Sequence, residues 1–423
     1  MKRRVVVTGM GIMAPNAHGL DEFEKALREG KSGIRFIEKM KDAGFACHVG
    51  GIPENYLEKA KEYFSEDRLV AMNELLIYTG ITAIDAWKDA GLELIDPNDD
   101  RVFWDTGTII GIGQSDTDTI WDVAHKVDAG KVRRLGSSVV EKIMTSAPSA
   151  RVTELLALGG QASTISSACT TGTDAIITSA RLIQHGLANR MVAGGVDTAS
   201  LLNWGGFDAM KVLNKNFNDE PHRASRSMSA TAAGFIPGAG AGMLILEDLE
   251  TAQKRGARIY AELAGACLNG GGHRMGGSMT FPNPEGVRRA INDAVSDAGI
   301  SSKDIDAING HLTGTIADPV EIKNWSKALD RGPEDFPYIN STKSLVGHCL
   351  GAAGGVEGVT AVLEIYKGFI HGSINCEDIH PDIAPFEKSV VKKTIDTEIN
   401  YLAKSSFGFG DVNGVAIWKK YKE

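Results

Sequence analysis

Apolar and polar positions along this chain switch repeatedly between two periods. Short β-branched or apolar runs at 4–8, 108–113, 191–194 and 242–246 read as strands. Residues 69–90, 170–183 and 285–299 read as helices. In the last of these, Val287, Ala290, Ile291, Ala294 and Val295 fall on one face and Gly299 supplies a stop. Strand and helix patterns in alternation predict an α/β protein. A second βα series begins near 258–260, so two halves, at 1–252 and 253–423, or one large domain are expected, and no sequence repeat is strong enough to prove a duplication. Residues 30–67 and 113–148 carry little pattern.

Composition narrows the class. With 423 residues, 43% of them hydrophobic and 23% charged, the chain has the makings of a large core. The opening Met1-Lys2-Arg3-Arg4 and the apolar run behind it imitate a signal peptide, but Thr8, Gly9 and Gly11 interrupt that run, and a first strand explains it better. No run reaches the ~20 apolar residues of a membrane helix. A net charge of −9 argues against general nucleic-acid binding, and an acidic partner would need a local basic patch. Cys47, Cys169, Cys267, Cys349 and Cys376 form no CxxC pair and are odd in number, which argues against a disulfide framework or a zinc site and for a reducing, cytoplasmic compartment. Gly9, Gly11 and Ala14 satisfy a loose dinucleotide-binding pattern, but Pro15-Asn16 does not continue a helix, so no cofactor is expected and the glycines read as a tight turn.

The candidate chemistry centres on Cys169. It follows a run of small and apolar residues and opens the predicted helix at 170–183, where free N–H groups and the helix dipole favour thiolate. Two distant loops, Asn309 to Thr315 around His311 and Lys343 to His348, aim one imidazole each. A cysteine and two histidines far apart in sequence fit a nucleophile with acid/base partners, and a Cys/His hydrolase would use the same residue types. Cys349 is a rival nucleophile without a partner of its own.

Ser167-Ala168-Cys169, the His311 loop, Lys343 to His348 continuing into Gly351-Ala352-Ala353-Gly354, and Ser406-Phe407-Gly408-Phe409-Gly410 together resemble the condensing enzymes. The chain resembles the elongating β-ketoacyl-acyl carrier protein synthases and the ketosynthases of type II polyketide systems over essentially its whole length. The resemblance implies a thiolase-like fold, two similar βα halves layered α-β-α-β-α, with the nucleophile in the first half and both histidines in the second. It implies decarboxylative condensation of a malonyl carrier with an acyl group held on Cys169. Catalytic roles then fall to Cys169, His311, His348 and Lys343, oxyanion and gating roles to Gly408, Phe409 and Gly410, and supporting roles to Glu357, Asp318 and Glu321. Acyl- and malonyl-loaded carrier protein would be the partner, docking near Arg68 and Lys215. A homodimer, or a heterodimer with a chain-length-factor homologue, is implied, and the insertions at 30–67 and 113–148 would cap the pocket and build the dimer face. No metal and no cofactor are implied. A thiolase would need a second active cysteine near the C-terminus, where Ser405 to Phe409 has none, and a noncatalytic partner chain would lack Cys169.

Some positions depart from that family's pattern. Leu312 stands where glycine follows the active histidine, with the spacing to Asp318 one residue shorter, so the tunnel is expected to narrow or the imidazole to shift. Residues 226–235 lack the usual Pro, Asp and Arg-Asp, Ala239 replaces a glutamate, and Asp411-Val412-Asn413-Gly414 replaces a Gly-Thr-Asn-Ala-like ending of the gating loop.

Overall fold

In the computed structural model, which describes residues 2–422, the strands are β1 Val5–Ala14, β2 Thr106–Ile112, β3 Ala162–Ile165, β4 Arg190–Asp197, β5 Gly240–Asp248, β6 Ala261–Gly270, β7 Ala307–Asn309, β8 Tyr338–Asn340, β9 Tyr401–Gly408 and β10 Val412–Lys419. They hydrogen-bond in the order β8-β7-β9-β10-β6-β1-β5-β4-β2-β3, and the short strand Ala17–His18 pairs with β1. From its centre the sheet runs β1-β5-β4-β2-β3 in one direction and β6-β10-β9-β7-β8 in the other. Each run shows two antiparallel pairings followed by two parallel ones. Val5–Val7 against Ala261–Leu263 joins them.

The principal helices are α1 Glu74–Asp89, α2 Thr117–Asp128, α3 Ala147–Leu156, α4 Thr171–Gln184, α5 Leu201–Ala209, α6 Pro284–Ala298, α7 Asp318–Leu329 and α8 Ala353–Lys367. Helices α4 and α8 pack on β4 and β5 to one side and on β6, β9 and β10 to the other, so they form a middle layer. Helix α1, with α3, covers the outer face of β1 and β5, and α6, with α7, covers that of β6 and β10. The result is the expected α-β-α-β-α stack. A helix between two sheets has no solvent side, and every residue from Ala353 to Ile365 is buried accordingly. Close approach depends on glycine: a Cβ on Gly172 would lie 2.5 Å from Gly355 N, and one on Gly355 would lie 2.3 Å from Gly242 O.

The predicted elements stand with shifted ends. The pattern at 69–90 is two helices, because Asn73 Oδ1 accepts the Leu76 N–H at 3.1 Å and starts α1 afresh after the short helix Glu66–Val70. Helix α6 buries all five residues assigned to its face, and Gly299 ends it in the left-handed region at φ 65°. The segment 113–148 contains α2, which the pattern missed because none of its residues is buried. No helix among the described residues is long and apolar enough to cross a membrane.

Candidate active site

Three loops converge on a cavity of about 250 Å³ whose wall includes Cys169, His311, His348, Phe407, Gly408 and Phe409. The Cys169 loop leaves β3, and Ala168 turns it sharply by taking a left-handed φ of 50° before α4 begins. The thiol therefore stands at the helix entrance, partly open to the cavity. The Sγ of Cys169 and one nitrogen from each imidazole lie within 4.8 Å of one another, and the two rings sit edge to face at 5.3 Å.

The charge state of that thiol differs from the helix-start expectation. Burial pushes Cys169 up to about 11, while Lys343 and the Phe409 N–H, which donates to Sγ, pull the other way. At neutral pH Cys169 is therefore a neutral thiol. Burial, followed by the charge of Lys343, holds both imidazoles well below the usual histidine range, so both are neutral. His348 Nδ1 accepts the Leu350 N–H at 3.2 Å. That bond assigns the ring proton to Nε2, which is buried without a protein partner. Its spacing imitates a three-ligand metal site, yet neither nitrogen of His348 offers a free lone pair, so the trio fits donor chemistry better than metal ligation. His311 has no such bond, and its Nδ1 is unpartnered.

Two carboxylates at the N-terminus of α7 fix the shortened His311 loop. Glu321 accepts the N–H groups of His311 and Leu312 at 2.7 and 2.8 Å and the Ser405 hydroxyl at 3.0 Å. Asp318 accepts from Met228, Thr313 and Gly314 at 2.8 to 3.0 Å. Burial raises both carboxyls, Asp318 to about 7. Leu312 does not narrow the tunnel: its side chain is fully buried in the core beneath the loop, against Gly310, and only its backbone, at φ 22°, records the missing glycine.

Behind the cavity, Lys343 pairs with Glu357, both buried. Sequence reasoning missed a third member, Lys404, whose Nζ lies 2.9 Å from the other Glu357 oxygen. The available signal was a lysine inside an otherwise small and apolar strand. In the loop after β9, Gly410 N–H donates to Met279 O at 2.7 Å, and the Asp411 carboxylate accepts from His273 N at 2.9 Å and Asn283 N at 2.7 Å. The departure at 411 thus ties the loop after β9 to residues 271–283. Near 226–235, Asp378 accepts from Arg226, Ser229 and Thr231. Ala239 is fully buried in the core around α1.

Other expected positions fall elsewhere. The Cys349 thiol donates to Ala239 O and lies outside the cavity wall, and burial raises it further than Cys169. Residues 30–67 and 113–148 contribute nothing to that wall. It is closed instead by Phe207, Val212, residues 280–282, Thr313 and residues 315–317, because Met40, Cys47 and Val49 are drawn into the core against Trp204 while α2 lies outside it. Arg68 is bonded to Glu154 and does not line the cavity. Lys215 is exposed, three residues from the lining Val212.

Residues 2–252 match the family model described as Beta-ketoacyl synthase, N-terminal domain, and residues 260–377 match its C-terminal domain. The chain is 37% identical over 433 aligned residues to 3-oxoacyl-[acyl-carrier-protein] synthase 2 of Vibrio harveyi, covering all of both chains. It is 33% identical to the chloroplastic 3-oxoacyl-[acyl-carrier-protein] synthase I of Arabidopsis thaliana, covering all of this chain and 87% of that one. Among solved structures it superposes on a β-ketoacyl synthase from Burkholderia phymatum with TM-score 0.89 at 26% identity, and on the ishigamide ketosynthase/chain length factor with TM-score 0.87 at 28%, each covering all of both chains.

Proposed function

The chain belongs to the β-ketoacyl synthase family, and from that premise we propose that it is an elongating condensing enzyme, an acyltransferase that joins a malonyl carrier to an acyl group held on Cys169. The observation that carries this is the trio itself, one thiol and two neutral imidazoles within 4.8 Å, with a backbone N–H already aimed at sulfur.

In the first stage a neutral imidazole takes the thiol proton, Cys169 Sγ bonds to the acyl carbonyl carbon, and the carrier thiolate leaves with a proton. His311, with no bond fixing its tautomer, suits the base. The Phe409 N–H, pointing at Sγ in the free enzyme, is then placed to meet the carbonyl oxygen as charge develops, and losing one such donor costs on the order of 10²–10³ in rate. In the second stage the malonyl C–CO₂ bond breaks and its electrons form an enolate. The oxygen of that enolate takes hydrogen bonds from His348 Nε2–H and His311. The enolate carbon attacks the acyl-cysteine carbonyl, and collapse expels Cys169 as a thiolate, which takes one proton from water to restore the resting thiol, and leaves a β-ketoacyl carrier. Phe409 would gate between the stages, with Gly408 and Gly410 as its pivots.

Lys343 and Glu357 would hold the local charge, while Asp318 and Glu321 hold the His311 loop. The repeated strand order supports division into halves 1–252 and 253–423, the nucleophile from one and the histidines and gate from the other. The carrier would dock near Lys215, which has no ion pair among the described residues, more readily than at Arg68. Exposed Ile120, Trp121 and Val132 in the segment 113–148 suit a dimer face. Five free cysteines suit a reducing cytoplasm. A second reading, a catalytic subunit active only beside a homologous chain-length partner, is favoured by the likeness to the ishigamide ketosynthase/chain length factor.

Intact-mass spectrometry tests the first stage. Wild-type protein incubated with acyl carriers gains the acyl mass and the Cys169→Ala variant does not. Acylation only after a homologous partner is added supports the second reading, and no acylation in either case rejects both.

A further inference from the structure

Strand β9 leads into the gating loop, and its fourth residue is a lysine only 1% exposed. A buried ammonium is costly unless its environment answers it. Lys404 Nζ finds partners on three elements: Glu357 Oε2 on α8 at 2.9 Å, Thr173 Oγ1 on α4 at 2.9 Å, and the Ser406 hydroxyl on its own strand. Thr173 and Ser406 also bond to each other, at 2.9 Å. Lys343 holds the remaining oxygen of Glu357. One carboxylate is therefore shared by two lysine side chains, and the buried trio carries one uncompensated positive charge whenever both are protonated.

We propose that Lys404 is a positioning residue of the condensation: by sharing Glu357 with Lys343 it leaves a net positive charge behind the two imidazoles, which keeps His311 and His348 neutral N–H donors to lower pH than a lone Lys343–Glu357 pair would. The inference rests on the condensing-enzyme reading for its role, and on the geometry for its charge. The other groups facing the imidazoles are Cys169, a neutral thiol, Cys349, which burial keeps neutral, and the carboxyls of Glu321, Asp318 and Asp197. Burial raises all three carboxyls, the last two to about 7, which weakens their ability to cancel the excess. Burial is the first cause holding both imidazoles down, Lys343 is the second, and Lys404 acts in the same sense. Burial and Lys343 also pull Lys404 itself below the usual lysine range, opposed by Glu357.

The test is histidine-labelled NMR titration of the full chain, with His311→Asn and His348→Asn spectra assigning the two rings. Lys404→Met is expected to raise their titration midpoints by about one pH unit, the scale of removing one buried unit charge at an effective dielectric of ~20. Lys404→Met/Glu357→Gln restores one net positive charge and is expected to return the midpoints toward wild type. The acid limb of kcat/KM for malonyl-carrier decarboxylation should move in parallel. Unchanged midpoints in folded Lys404→Met, or no return in the double variant, would overturn the proposal. Lys404→Gln, which retains hydrogen-bonding capacity toward Thr173 and Ser406, gives the same reading should the methionine variant not fold. Failure of both to fold would assign Lys404 to stability instead and overturn the proposal too. The ring titrations need no turnover, so shifted midpoints without decarboxylation would count against the enzymatic reading and leave the charge inference standing.

Discussion

Burial, more than the helix start, sets the chemistry of Cys169. With its thiol held up at about 11, alkylation by iodoacetamide is expected to rise about tenfold per pH unit from 7 to 9.5 without a plateau, monitored as mass added at Cys169. A plateau near pH 7 would show a preformed thiolate. Gly408 matters for a different reason: a Cβ there would lie 3.0 Å from both Cys169 N and Thr170 Oγ1. Gly408→Ala should therefore displace the Phe409 N–H and lower kcat/KM on the order of 10²-fold with little change in Tm, and unimpaired turnover would remove that donor from the account. Cys169, His311, His348 and Phe409 were legible in the sequence because each sits in a short motif. Lys404 was not, since its meaning depends on Glu357 and Thr173, which only the fold brings to it. The narrowing expected of Leu312 fails for the same reason: a side chain beside His311 says nothing of which side of the loop it takes.

At the scale of elements, the loop after β9 and the 271–283 loop behave as one unit through Asp411. Its left-handed φ of 59° and its two backbone N–H partners make it a latch. Asp411→Ala would strand the N–H groups of His273 and Asn283, at ~1–3 kcal/mol for each that stays buried. Hydrogen exchange across 271–283 should accelerate while α1 remains protected, and an unchanged pattern would argue against the latch. Helices whose apolar face meets a sheet, such as α6, were readable from periodicity. Helix α2 was not, because it buries no face, and the true start of α1 depended on a single cap, Asn73.

At the scale of the molecule, one hydrophobic core runs from Val5 and Leu27 through Ile176 and Val359 to Leu402 and Trp418, so neither run of strands has an interior of its own on that side. Calorimetric unfolding of the chain should accordingly give one cooperative transition, and two separated transitions would contradict a shared core. The α/β class and the position of the second βα series were visible in the alternation of periods. The repeat was not, because strand order and direction are preserved where residue identity is not.

The central claim is tested most directly by a single turnover of isolated acyl-Cys169 protein with malonyl carrier, following CO₂, the mass of the enzyme and the carrier product together. One CO₂ and one β-ketoacyl carrier for each acyl group lost from Cys169 is the predicted result. Release of the acyl group as free acid, or CO₂ evolved while the acyl group stays on Cys169, would contradict it.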